Sequence, residues 1–71
     1  MHIVNNFRKA RIVFQDNKLI EGVIVKCDFH MNTIVKHSVE YRLNKKSKKW
    51  EKRDVGLCVI RGCSISTISL I

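Results

Sequence analysis

The strongest constraint on this chain is its punctuation. Apolar residues come in runs of at most four, and each run stops at a cluster of turn-forming residues. Val23-Ile24-Val25 ends at Asp28-Phe29-His30-Met31-Asn32, and Ile34-Val35 follows at once. Val, Ile, Thr and Phe recur in the runs and proline is absent, which suits short strands better than long helices.

Taken in order, Met1 to Lys9 is expected to form a short helical turn, with Ile3, Val4 and Phe7 on one side. Ala10 to Gln15 reads as a strand in which Ala10, Ile12 and Phe14 alternate with Arg11, Val13 and Gln15. Asp16-Asn17 supplies a two-residue turn, since both residue types tolerate positive φ. A second strand runs from Lys18 to Asp28, and Gly22 inside it marks a sharp bend or a close backbone approach. The third covers Thr33 to Leu43, with Ile34 on one face and Val35, His37, Val39 and Tyr41 on the other.

Asn44 to Arg53 has no hydrophobic period and strong self-repulsion, so its centre is expected to be a mobile loop. Val55 to Arg61 is a fourth strand, almost continuously apolar through Leu57-Cys58-Val59-Ile60, which implies cover on both faces. A fifth runs from Ser64 to Ser69. Its inward residues Ile65 and Ile68 are three apart, which requires a bulge.

The expected architecture is all-β: five strongly bent antiparallel strands forming a partly open barrel after the N-terminal turn. Residues 1–71 read as one domain, divided into the turn (1–9), a first strand block (10–43), the basic loop (44–54) and a second block (55–71). Seventy-one residues bury only roughly 60% of their unfolded surface, so such a domain is marginal alone and gains from oligomerising. An open barrel leaves two sheet edges. Pairing them between subunits in a heterologous contact closes a ring.

Composition narrows the function. A formal net charge of +8 points to a polyanionic partner, nucleic acid first. No run is long enough to span a membrane, and no basic amphipathic helix is present to lie on one. Met1 to Asn6 lacks the basic start and apolar core of a signal peptide, so a reducing compartment with free thiols is expected. Cys58 and Cys63 are spaced as C-x₄-C but lack a second ligand pair, which argues against zinc. No nucleophile triad, phosphate-cradling glycine loop or carboxylate pair is present, so neither an enzyme, a cofactor nor a small-molecule substrate is expected.

Two short segments carry the chemistry. Asp28-Phe29-His30-Met31-Asn32 bunches an acid, an imidazole and a side-chain amide in one tight turn, which can hold a flat polar ligand. Ile60-Arg61-Gly62-Cys63, far along the chain, supplies a guanidinium beside a glycine. If the two meet, they can grip one base of a single-stranded RNA.

Together these segments resemble the Sm and Sm-like (LSm) family. Gly22, Asp28-Phe29-His30-Met31-Asn32 and Glu40 match its first motif. Ile60-Arg61-Gly62, followed by Ile65 and Ile68, matches its second. The pairing of D-x-H-M-N with a later I-R-G is specific, and the likeness covers about Lys9 to Ile68. Gln15-Asp16, the stretch Val55 to Gly62 and the basic insertion ending Glu51-Lys52-Arg53 are nearest the B-type spliceosomal subunits. Asn17 departs from the usual glycine and Thr33 from the usual leucine. The arginine-glycine and proline-rich extension usual in B-type subunits lies outside residues 1–71.

The resemblance implies a subunit of a heteroheptameric ring, joined to other Sm or LSm subunits through edge strands four and five. That ring would bind uridine-rich single-stranded RNA, the Sm site of spliceosomal small nuclear RNAs, in the nucleus after cytoplasmic assembly. The rival readings are an LSm ring on oligouridine 3′ ends, a homo-oligomeric RNA chaperone, and a module that binds only proteins.

Within the site, His30 would stack on one face of the base and the Arg61 guanidinium on the other. Asn32 would choose uracil through its paired acceptor and donor, and Gly62 would let the sugar-phosphate backbone approach. Asp28 would orient the loop and lock the Asn32 amide, although capping the turn is an equally good role for it. Phe29 and Met31 read as packing residues. Glu40 reads as structural, paired across subunits. Lys45, Lys46, Lys48 and Lys49 are candidate phosphate contacts. Trp50 would either stack on RNA or anchor the loop base or a neighbouring protein.

Overall fold

The computed structural model describes residues 8–71. Five strands follow one another: β1 (Arg8–Phe14), β2 (Lys18–Cys27), β3 (Thr33–Asn44), β4 (Lys49–Ile60) and β5 (Ile65–Leu70). A three-residue 3-10 turn, Gly62–Ser64, joins the last two. All pairings are antiparallel, and the sheet order is β4-β3-β2-β1-β5. The expected all-β, bent architecture is therefore what forms. The helical turn expected over Met1 to Lys9 lies outside the described residues except for Arg8 and Lys9, which already belong to β1.

Consecutive strands β4 and β5 occupy opposite edges of the sheet. In a flat sheet four interstrand gaps would separate them by about 19 Å. The connection between them is mostly a 3-10 turn rising about 2 Å per residue, so it reaches much less far. The sheet has to curl, and Ile60 of β4 accordingly packs with Ile12 and Phe14 of β1, Ile20 of β2 and Val35 of β3 in the core. Ile65 and Ile68 of β5 pack against that cluster from the other edge.

The bend crosses three strands. Register slips in β3 between Val35 and Val39, against both β2 and β4, and His37 there has φ +52°. Gly56 on β4 has φ +81°, and the Ser38 hydroxyl donates to its carbonyl at 2.6 Å. On β2 the bend falls at Gly22, where a Cβ would collide with Val35 Cγ1 and sit 3.0 Å from both Lys36 O and Ser38 Cα. Only glycine lets the two backbones pass so closely. The bulge at His37 also changes which face each residue serves: Val35 and Ser38 are buried, whereas His37 is exposed. The simple alternation expected through Val35, His37, Val39 and Tyr41 therefore breaks there. The bulge expected in the fifth strand lies between Ile65, paired with Phe14, and Thr67, paired with Val13.

Two expectations need correction. The segment Asn44–Arg53 is not a loop throughout, because β4 already begins at Lys49 and only residues 45–48 turn. Charge pairing overcomes the repulsion: Arg42 lies opposite Glu51, and Glu40 faces Arg53 with a 3.5 Å contact between carboxylate and guanidinium. The Asn44 side chain closes the turn by accepting from the Lys46 and Ser47 amides. Glu40 thus pairs within its own chain. Second, the apolar fourth strand is not covered on both faces. It is an edge, with Leu57 69% and Val59 72% exposed.

Replacing Gly22 with alanine forces a methyl group into β3 and should cost about 1–3 kcal/mol of stability, an overpacking penalty. Urea unfolding checks it, with Ser69→Ala on the exposed edge as a control expected within about 0.5 kcal/mol of the parent.

Candidate nucleic-acid interface

The β2–β3 turn is built on one carboxylate. Asp28 Oδ1 accepts from the backbone amides of His30 and Asn32, both at 2.9 Å, and Oδ2 accepts from the Asn32 side-chain NH₂ at 3.2 Å. Main-chain bonds between Asp28 and both Met31 and Asn32 close the turn at 3.1 Å. Met31 takes the left-handed conformation, φ +66°. Thr33, fully buried, donates its hydroxyl to the Met31 carbonyl at 2.7 Å. A leucine at that position could not make this bond, so threonine there ties the turn to the sheet.

Desolvation, the largest single influence on the Asp28 carboxyl, pushes its pKa up. Hydrogen bonds from the Asn32 backbone and side chain and from the His30 backbone, with the nearby His30 imidazole, together outweigh it and hold the group below the ordinary carboxylate value.

The second segment meets the first. The Gly62 amide donates to Asn32 Oδ1 at 2.9 Å across thirty residues of sequence. Gly62 lies so close against the turn that a Cβ there would run into the His30 carbonyl. Its smallness serves this contact between turns, a role distinct from admitting an RNA backbone. The Asn32 amide is consequently held at both ends, its nitrogen by Asp28 and its oxygen by Gly62. One N–H and one lone pair remain available. Arg61, just before Gly62, is exposed, and its guanidinium makes no hydrogen bond or ion pair among the described residues.

Asp28, His30, Asn32, Arg61 and Gly62 thus form one cluster. Lys45, Lys46, Lys48 and Lys49 do not join it. They lie around the β3–β4 turn, at the far end of a twelve-residue strand that would span roughly 40 Å if straight. Phe29 and Met31 are 75% and 45% exposed rather than packed in the core. Sequence reasoning missed the Gly62 amide as the second anchor of Asn32, because no residue type announces a backbone donor. It also passed over Lys26, which with Asp28, Asn32, Thr33, Ile34 and Val59 lines a cleft of about 160 Å³. Alternation had already put Lys26 on the side of Asp28.

With fold and site in view, comparison with known proteins is informative. Residues 6–70 match the family model described as LSM domain. The chain is 34% identical over 68 residues to small nuclear ribonucleoprotein-associated protein B of Dictyostelium discoideum, covering 92% of this chain and 24% of that protein. It is also 34% identical over 61 residues to a probable small nuclear ribonucleoprotein G of Arabidopsis thaliana, covering 86% of this chain and 69% of the relative. A probable small nuclear ribonucleoprotein G of Medicago sativa is matched at 34% identity as well, over 68% of its length. The bent five-stranded sheet with its paired turns is that of an LSM domain. The chain is a member of the LSM-domain (Sm/LSm) family. It spans about a quarter of the B protein, and equal identity to B and G relatives does not separate those two subunit types.

The lowered pKa sets a pH prediction. The order that ionised Asp28 brings to the turn is present above the ordinary Asp pKa of about 3.9 and is lost as pH falls through the lower native value. In an NMR titration the Asn32 and His30 amide shifts should move together with a midpoint below about 3.9. Asp28→Asn should abolish that transition.

Proposed function

We propose that the chain is a core subunit of a seven-membered, heteromeric Sm ring. In this reading it binds one nucleotide of a uridine-rich single-stranded RNA in a spliceosomal small nuclear ribonucleoprotein. It acts in the nucleus, in keeping with the small nuclear ribonucleoprotein names of the B and G relatives, and is assembled in the cytoplasm.

The observation that carries the reading is the doubly held Asn32 amide. An amide free to rotate by half a turn would accept uracil or cytosine equally well, since the two edges reverse donor and acceptor. Turning this one would set its oxygen against the Asp28 carboxylate and its NH₂ against the Gly62 amide, so both bonds would become repulsive. The remaining lone pair then takes uracil N3–H while the remaining N–H reaches an adjacent carbonyl. His30 and Arg61 supply the stacking surfaces. The lysines at the β3–β4 turn contact phosphates of a different stretch of the same RNA.

The edges support the ring. β5 offers Ile65-Ser66-Thr67-Ile68-Ser69-Leu70 and the end of β4 offers Leu57-Cys58-Val59-Ile60, with no charge in either run to discourage pairing. Joining β4 of one subunit to β5 of the next covers Leu57 and Val59 and avoids bringing two basic arms together at the seam.

Filter binding of the assembled ring to oligouridine and oligocytidine tests the site. Arg61→Ala and Asn32→Ala should each weaken oligouridine binding about 5- to 150-fold, the range expected from one lost base contact of about 1–3 kcal/mol. Asp28→Ala should narrow the uridine-to-cytidine ratio more than it lowers affinity for either. Equal loss for both oligomers rejects the locking role. Native mass spectrometry should show one copy of the chain among seven subunits.

A further inference from the structure

The loop cluster leaves a second feature of the molecule unexplained. On the side of the sheet away from the core, Arg11, Leu19, Glu21, Tyr41 and Trp50 surround an open cleft of about 380 Å³. Four strands contribute to it, and the register places the groups. Leu19 lies opposite Tyr41, Tyr41 opposite Lys52, and Leu43 opposite Trp50. Tyr41 and Trp50 are therefore diagonal neighbours on adjacent strands, roughly 7–8 Å apart at their backbones. Trp50 is 54% exposed, unusual for so large an apolar ring on a folded domain.

The charge around these rings decides between partners. Of the nearby acids, Glu21 is held by Arg11 at 2.7 Å and Glu40 by Arg53 at 3.5 Å. Glu51 lies opposite Arg42 and accepts from the Asn44 side chain at 3.4 Å, and Asp54 lies nearer the bend, opposite Val39. Lys52 and the four lysines that precede Trp50 have no acidic partner among the described residues. Separated aromatic faces within a field of unpaired cations fit a stacked base with flanking phosphates. An apolar protein segment would leave those lysines uncompensated, and an acidic protein would gain little from the rings.

We propose that this outer face is a second contact for single-stranded RNA. A base stacks on Trp50, with Tyr41 beside it, and Lys52 and the turn lysines hold the adjoining phosphates. The inference takes RNA as the partner from the functional reading above, but its location is independent of the loop cluster. Since the two sites lie at opposite ends of β3, one RNA chain must run along the subunit to use both.

Trp50 is the chain's single tryptophan, so its fluorescence reports on this face alone. The test uses the assembled protein carrying His30→Ala and Arg61→Ala, two exposed substitutions that disable loop stacking without touching the core. Partner subunits are chosen or substituted to lack tryptophan. Titration with a ten-nucleotide oligouridylate or oligoadenylate should still quench Trp50 emission, more weakly as salt rises. Adding Tyr41→Ala and Lys52→Gln should raise the dissociation constant at least fivefold. In fluorescence anisotropy with labelled oligomer, Trp50→Phe should keep most of the affinity of this site and Trp50→Ser should lose about fivefold or more.

Loss of quenching in the His30→Ala/Arg61→Ala protein would overturn the proposal, because all binding would then belong to the loop. So would shielding of Trp50 from iodide in the RNA-free assembly, which would mean that protein covers this face. Loop-dependent uridine binding in the unsubstituted ring, with no quenching of Trp50 in the His30→Ala/Arg61→Ala protein, sinks the second site and leaves the loop reading intact. Quenching that persists without any uridine preference in the unsubstituted ring does the reverse.

Discussion

Where β2 crosses β3 at Gly22, the two backbones come closer than any side chain would permit, and everything downstream uses that proximity. The crossing is matched by an extra residue at His37 on β3 and a left-handed glycine at Gly56 on β4. Three strands therefore bend along one line. Without it the two edges of the sheet would stand too far apart for the short Arg61–Ser64 connection to join them. Gly62 would then be nowhere near the turn that follows β2. The curl that makes a core around Ile12 and Val35 is thus also what brings the Asp28–Asn32 and Arg61–Gly62 segments together.

Once the turns meet, polar bookkeeping makes the site rigid. The Asp28 carboxylate accepts three of the turn's hydrogen bonds, Thr33 anchors its exit to the sheet, and the Gly62 amide closes the link between the two segments. No buried side-chain nitrogen or oxygen among the described residues lacks a partner. An asparagine fixed in this way is organised before any ligand arrives, so little ordering free energy is spent on binding. Two hydrogen-bonding positions of the Asn32 amide, one N–H and one lone pair, are left open by these contacts.

The surface divides into regions of different chemistry. The end of β4 and all of β5 are neutral, part apolar, and carry unpaired strand edges. The arm formed by the far halves of β3 and β4 is strongly basic, with acids interleaved on its inner side to hold the strands together. The cations of a chain of net charge +8 are thus concentrated on the arm, while the neutral end of β4 and all of β5 carry none.

Much of the architecture was legible in the residues. Turn-forming clusters at Asp16-Asn17 and Asp28–Asn32 mark the ends of strands, because these side chains satisfy backbone groups locally. Gly22 marks a bend because only its missing Cβ permits one. The uneven spacing of Ile65 and Ile68 shows a bulge for the same geometric reason. The D-x-H-M-N and I-R-G motifs likewise point to the cluster that forms. The basic run misled because composition registers the repulsion among its lysines but not the acids that will face Arg42 and Arg53 across a ladder. The apolar run of β4 misled in the opposite sense, since a chain folded alone leaves Leu57 and Val59 in water.

The sequence by itself determined the strand count, the bend and the residue types of the site, because each depends on short-range sterics and on side chains bonding their own neighbours. It took the folded chain to bring the Gly62 amide onto Asn32, to set the lysine turn far from the Asp28–Asn32 turn, and to put Tyr41 and Trp50 on one face. Those outcomes depend on register across strands. Register is set by the sum of many pairings, and no single residue encodes it.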